Sequence, residues 1–219
     1  MIVNERMTAY INSLDTGNSD FLEQLEQEAR EQFVPVIRRE MQSLLKVLLA
    51  VKMPVKLLEI GTAIGFSSLF MLENNPVSCK IDTIENYEKR IVAARENLKR
   101  ADKNGDIRLL CGDALTVMQG LEESYDFIFM DAAKGQYIHF LPEALRLLSP
   151  NGILVSDNVL QDGDIIESRF AVTRRDRTIH KRMREYLYEL THHPMLTTTV
   201  LPIGDGATIS TKHNDERKG

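Results

Sequence analysis

Apolar residues recur at two different spacings along this chain, and the spacing changes just after residue 50. Before that point they fall three and four apart, as in Leu22, Leu25 and Ala29, then Leu44, Leu45, Leu48 and Leu49. One face of an α-helix repeats at that interval, which predicts helices over 5–14, 20–32 and 40–50. Beyond it, short β-branched or apolar runs predict strands at 55–60, 80–85, 107–111, 125–131 and 152–157, several of them closed by an acid. Helical segments at 66–74, 87–102, 114–121 and 136–148 separate these strands. Strand alternating with helix builds βαβ units and a parallel sheet covered on both faces. After a helix at 176–191, "MLTTTVLPI" and "GATISTK" are two further strands joined by Gly-Asp-Gly. So tight a turn makes a hairpin, and the last strand therefore runs antiparallel to its neighbours. The expected fold is α/β: a doubly wound, mostly parallel sheet with a helical N-terminal cap. We expect a single domain over 1–212, with the cap at 1–52, the α/β core at 53–212 and a flexible tail at 213–219.

The 219 residues are 43% hydrophobic, enough for a sizeable core. No basic segment followed by an apolar block opens the chain, and the longest apolar run, "LLKVLLAV", is broken by Lys46 and too short to span a bilayer. A cytoplasmic protein without membrane contact is expected, with Cys79 and Cys111 as buried, reduced thiols. The net charge of −5 argues against a general nucleic-acid coat. Its distribution changes that picture, because residues 169–184 hold seven Arg or Lys and one Asp. Basic charge concentrated on an acidic protein suggests a phosphate-contacting surface, with Arg174, Arg175, Arg177 and Lys181 as candidates. A solvated helix face or a subunit contact is the alternative.

The candidate chemistry gathers where the predicted strands end, the place ligands occupy in such sheets. "LLEIGTAIGFSS" runs the first strand into Gly61 and Gly65. This is G-x-x-x-G, without the middle glycine that lets backbone approach a pyrophosphate. Glu85 closes the second strand, where a carboxylate accepts ribose hydroxyls. Asp113 follows the third strand, able to meet an adenine amine, to cap the next helix, or both. Glu59 is expected to reach a cationic group such as the amine of a methionine moiety. Together these features describe S-adenosylmethionine, and a nicotinamide cofactor is the alternative that the turn alone leaves open. Asp131 ends the fourth strand, and Asp157 and Asn158 end the fifth. Neighbouring strands lie about 4.8 Å apart, so three oxygen donors converge beside the cofactor crevice, a set suited to Mg²⁺ rather than zinc. Lys134 stands close by and is a candidate general base, since a neighbouring divalent cation favours the neutral amine.

The stretches "LLEIGTAIGFSS", "TIE", "GDAL", "MDAAKGQY", "SDNVL" and "PIGDGATIS" occur in the order seen in the cation-dependent O-methyltransferases of the catechol and caffeoyl-CoA type, and the chain resembles that family over about residues 34–211. The resemblance implies a seven-stranded sheet with a reversed last strand. It implies cofactor contacts at Ile37, Gly61, Ser67, Glu85, Asp113 and Asp131, metal ligands at Asp131, Asp157 and Asn158 (Mg²⁺ or Mn²⁺), the catalytic lysine at Lys134, and a homodimer. Within the family the motifs are most similar to the bacterial enzymes that methylate 5-hydroxyuridine at the tRNA wobble position, giving 5-methoxyuridine. Plant-type members usually carry a second acid two residues after the metal aspartate, where this chain has Ala133. A metal that orients an acceptor hydroxyl works best when a second, adjacent oxygen chelates too. Both 5-hydroxyuridine and a catechol-like metabolite satisfy that demand, and both are kept as acceptors.

Overall fold

The computed structural model describes residues 3–103, 105–168 and 170–214. Three helices come first: α1 (Glu5–Asn12), α2 (Asp20–Glu31) and α3 (Arg39–Lys52). Alternation follows with β1 (Lys56–Ile60), α4 (Phe66–Asn74), β2 (Lys80–Glu85), α5 (Glu88–Arg100) and β3 (Ile107–Cys111). Then come α6 (Ala114–Gln119), β4 (Tyr125–Met130), α7 (Tyr137–Leu147), β5 (Leu148–Asp157), α8 (Arg177–His192), β6 (Leu196–Leu201) and β7 (Ala207–Lys212).

The seven strands form one sheet in the order β3-β2-β1-β4-β5-β7-β6. Pairings from β3 through to β5 are parallel, whereas β7 runs antiparallel to both β5 and β6. Successive strand residues point to opposite faces, and here both faces are covered. Leu57, Phe127 and Val155 pack with α2, α3 and α4 on one side. Leu58, Ile128 and Leu154 pack with α7 and α8 on the other. That double burial is why these strands read as continuous apolar runs rather than as alternating ones.

The N-terminal helices divide unequally. α2 and α3 bury Leu22, Leu25, Ala29, Met41, Leu45 and Leu49, while α1 buries none of its residues. α3 ends at Met53, which takes the left-handed conformation (φ 49°) before Pro54 starts the run into β1. One boundary and one burial differ from expectation. β5 begins at Leu148, which pairs with Tyr125 of β4; the register then shifts, with Asn151 at φ 57°, and regular pairing resumes at Ile153 with Phe127. Cys111 is exposed rather than buried, since it ends the edge strand β3, and Arg95 Nη2 lies 3.2 Å from its sulfur. Among the described residues, no helix is long and apolar enough to cross a membrane.

The strand order reverses between β1 and β4. Loops leaving the carboxyl ends of two adjacent strands in opposite directions leave a crevice between them.

Candidate active site

Gly61 sets how closely the two halves of the sheet meet at that crevice. Its φ is +108°, and a Cβ there would lie 2.0 Å from the carbonyl oxygen of Asp131. Only glycine allows this approach. Backbone bonds then stitch the strand ends: Gly61 N–H donates to Ile84 O, and Asp131 N–H to Ile60 O, each at 3.0 Å. Around them opens a cavity of about 750 Å³. Ile37, Gly61, Ser67, Glu85, Asp113 and Asp131 all line it, as do Lys134, Asp157 and Asn158.

The cavity's acids are held by different means. Glu85 accepts from three backbone N–H groups: Asn86 (3.0 Å) and Tyr87 (2.9 Å) on Oε1, and Ala63 (2.9 Å) on Oε2. A carboxylate offers about four acceptor positions, so Glu85 keeps capacity on Oε2 at the cavity wall. Asp113 caps α6 by accepting at Oδ1 from Thr116 N–H (3.0 Å) and Thr116 Oγ1 (3.1 Å).

Glu59 departs from expectation. It is fully buried and is not part of the cavity wall. Its carboxylate accepts from the hydroxyls of Ser67, Ser68 and Thr83. Burial pushes it up to about 7, against the pull of those three hydroxyls. Glu59 therefore braces the start of α4 against β1 and β2 and is not placed to touch a ligand. Ser67, on the cavity wall, is held by this bond.

Asp131, Asp157 and Asn158 come together as expected. Asn158 takes the left-handed conformation (φ 60°) that asparagine tolerates. This turns its backbone N–H onto Asp157 Oδ1 (2.7 Å) and its side-chain Nδ2 onto Asp131 Oδ1 (3.0 Å). Burial raises both carboxyls, and the charge of Asp131 helps push Asp157 up to about 7. Two carboxylates side by side, Asp157 buried and Asp131 partly so, leave a deficit of positive charge, which a divalent cation on oxygen ligands relieves. Among the described residues no group of three or more His, Cys, Asp or Glu side chains is arranged for a metal. The candidate set fits a hard cation with two carboxylates, the Asn158 amide oxygen after rotation of the amide, and waters or substrate.

Lys134, the nearby lysine, is engaged elsewhere. Its Nζ lies 2.7 Å from Oδ2 of Asp205, a residue only 3% exposed. Asp205 is the middle of the Gly-Asp-Gly hairpin turn and part of the "PIGDGATIS" motif, but neither assigns it to a site built on a residue 71 positions away. Tyr137 was likewise unassigned. Its buried phenol lies 3.2 Å from Met130 O and 3.1 Å from Asp157 O and accepts from Ala132 N–H (3.3 Å), fastening the ends of β4 and β5 together. Arg90 also lines the cavity, from the first turn of α5.

The basic segment divides in two. Arg182 donates to Gly135 O (3.1 Å) and Arg184 to Ile165 O (3.2 Å), tying α8 to the loops beside the cavity. Arg177 is half-buried against Val172 and the Phe170 ring. Arg174, Arg175 and Lys181 are exposed, with Lys181 3.5 Å from Glu185. Arg169 lies outside the described residues.

Residues 12–213 match the model of the O-methyltransferase family. A catechol O-methyltransferase from Niastella koreensis is 32% identical over 115 residues, which are 51% of this chain and 52% of that protein. The chain thus spans about half the length of that curated relative. The crystal structure of a candidate caffeoyl-CoA O-methyltransferase from Staphylococcus aureus superposes with a TM-score of 0.87 at 32% identity, covering 95% of this chain and 100% of that one. A Podospora anserina methyltransferase with S-adenosylhomocysteine bound gives 0.86 at 27% identity, with 97% of each chain covered. The chain belongs to the O-methyltransferase family, enzymes that move a methyl group from S-adenosylmethionine to an oxygen. That membership removes the nicotinamide alternative.

Proposed function

We propose that this O-methyltransferase methylates the 5-hydroxyl of 5-hydroxyuridine at the tRNA wobble position, with Mg²⁺ or Mn²⁺ at Asp131, Asp157 and Asn158. One observation carries the choice of acceptor. Arg182 of the basic segment donates to Gly135 O, next to Lys134 of the cavity wall, so the segment that carries the exposed Arg174, Arg175 and Lys181 is anchored to a loop of the candidate site. A phosphate backbone is the ligand that such a surface suits. The family motifs support the same reading. A catechol-like metabolite is the second reading, favoured by the Niastella koreensis relative.

S-adenosylmethionine would lie along the cavity from Glu85, which accepts from the ribose, past Asp113 at the adenine, to Asp131, with Ile37 and Ser67 on its walls. A divalent cation at the carboxylates would orient two adjacent acceptor oxygens and favour loss of the hydroxyl proton. Bound there, S-adenosylmethionine would supply a sulfonium methyl whose S–C bond breaks as the O–C bond to the acceptor forms, with a neutral thioether as the leaving group. Lys134, on the cavity wall with its Nζ 2.7 Å from Asp205 Oδ2, is the residue we assign to accept the acceptor's proton. Walls that hold donor and acceptor in line supply much of the rate. The same reading puts the enzyme in the cytoplasm and, by family resemblance, in a homodimer.

Nucleoside mass spectrometry of tRNA from cells with and without the gene tests the proposal. We expect 5-methoxyuridine, or a derivative built on it, to disappear and 5-hydroxyuridine to accumulate. An unchanged nucleoside profile, together with rapid turnover of catechols by the purified enzyme, would favour the metabolite reading.

A further inference from the structure

We propose that Asp205 is a positioning residue for methyl transfer, acting through Lys134; this rests on the reading of Lys134 as the proton acceptor. The Gly204-Asp205-Gly206 turn does more than join β6 to β7. Gly204 and Gly206 both have positive φ (57° and 87°), and a Cβ on Gly206 would lie 2.2 Å from Leu160 Cγ. The turn therefore presses directly on the loop that follows the metal-site residues. Val159 N–H donates to Gly206 O (3.0 Å) and Leu160 N–H to Asp205 O (2.9 Å), locking the two segments together by backbone. A hairpin turn that only reversed the chain would need no such seam.

The side chain is fixed at both oxygens. Oδ1 accepts the backbone N–H of Asp162, in a loop where Gln161, Asp162 and Gly163 all have positive φ. Oδ2 holds Lys134 Nζ at 2.7 Å. Asp205 is thus a buried carboxylate with one oxygen on the loop after β5 and the other on the lysine after β4. Lysine has four flexible side-chain torsions, so without a fixed partner its amine would sample many directions. A rigid carboxylate at 2.7 Å reduces them to one and fixes where the amine points. Asp205 is not on the cavity wall, so it acts on the lysine and not on the cofactor.

The test is a double-mutant cycle on the intact enzyme with S-adenosylmethionine, Mg²⁺ and 3,4-dihydroxybenzoate as a small acceptor probe. Asp205→Asn keeps an acceptor for Asp162 N–H and removes the charge facing Lys134. We expect kcat to fall about 10- to 100-fold, with S-adenosylmethionine affinity by calorimetry changed less than about twofold. In a Lys134→Met background the same substitution should leave kcat unchanged, because residues acting as one unit are not additive. If instead the two losses multiply, Asp205 does not act through Lys134 and the proposal is wrong. If Lys134→Met alone keeps full kcat, the proton-acceptor reading fails first and the proposal falls with it. Asp205→Glu covers the case of a poorly folded amide variant. Recovery of kcat above Asp205→Asn at matched thermal stability supports the positioning role, and equal loss in both variants at matched stability opposes it.

Discussion

Each acid at the site does a different job because its surroundings differ. Asp157 faces Asp131, and both carboxyls are raised by burial. If the proposed metal set is right, removing Asp157 should end methyl transfer while leaving cofactor binding largely intact, since Asp157 is proposed as a metal ligand and not as a cofactor contact. We expect Asp157→Ala to lose activity at least 100-fold, and EDTA to do the same to the wild type. Mg²⁺ should raise the melting temperature of the wild type and not of the variant, a readout independent of turnover. Glu59 leads to a prediction about pH. Burial lifts it from an ordinary 4.5 to about 7, so between those values the folded state binds more protons than the unfolded. Stability contributed by this group therefore falls as pH rises through that window, and the penalty of about 3 kcal/mol is complete above it. Melting curves of Glu59→Gln should be flatter across the same window, gaining on the wild type as pH increases. A wild-type slope retained by the variant would mean that another group titrates there.

At the scale of elements, the site depends on how strands end. Gly61 lets β1 and β4 close together, and Tyr137 then fastens β4 to β5. The two contacts hold Asp131 and Asp157 on neighbouring strand ends. In Gly61→Ala the new methyl group meets the Asp131 carbonyl, and the positive φ adds strain. We expect a stability loss of about 1–3 kcal/mol and a larger proportional loss of cofactor affinity, because Asp131 must move. Denaturant melts and calorimetry measure the two effects separately. Comparable small effects on both would show that β1 and β4 relax apart without disturbing the site.

Across the whole molecule, the proposed tRNA acceptor would require an acidic protein to approach a polyanion. The charge of −5 opposes that approach, while the exposed Arg174, Arg175 and Lys181 concentrate positive charge in one segment of the chain. Changing these three to Ala should weaken tRNA binding and flatten its salt dependence by about one slope unit per lost phosphate contact. Arg182 and Arg184 are left in place because they hold loops. Methylation of a small catechol should hardly change in the triple variant. Equal loss on both substrates would assign the segment to the fold, and an unchanged salt slope would remove it from the RNA surface.

Much of this protein is written locally. Spacings of three and four marked α2 and α3, and continuous apolar runs marked strands buried on both faces, because each pattern reflects the geometry of its own element. Gly-Asp-Gly marked the hairpin and hence the reversed strand. The convergence of Asp131, Asp157 and Asn158 was legible because Asp157 ends a strand, the other two directly follow one, and strand ends in such a sheet converge. What tertiary structure alone decided is which side chains face the cavity and which face one another. Glu59 looked like a ligand-binding acid, yet three hydroxyls from α4 and β2 enclose it. Cys111 looked buried until β3 proved to be the edge strand. Asp205 and Tyr137 carry no local signal of their roles, because their partners lie on other strands and loops, brought near only when the sheet is assembled. Period and composition report an element's own geometry, whereas a pairing across the sheet depends on chain order and register, which no short window of sequence contains.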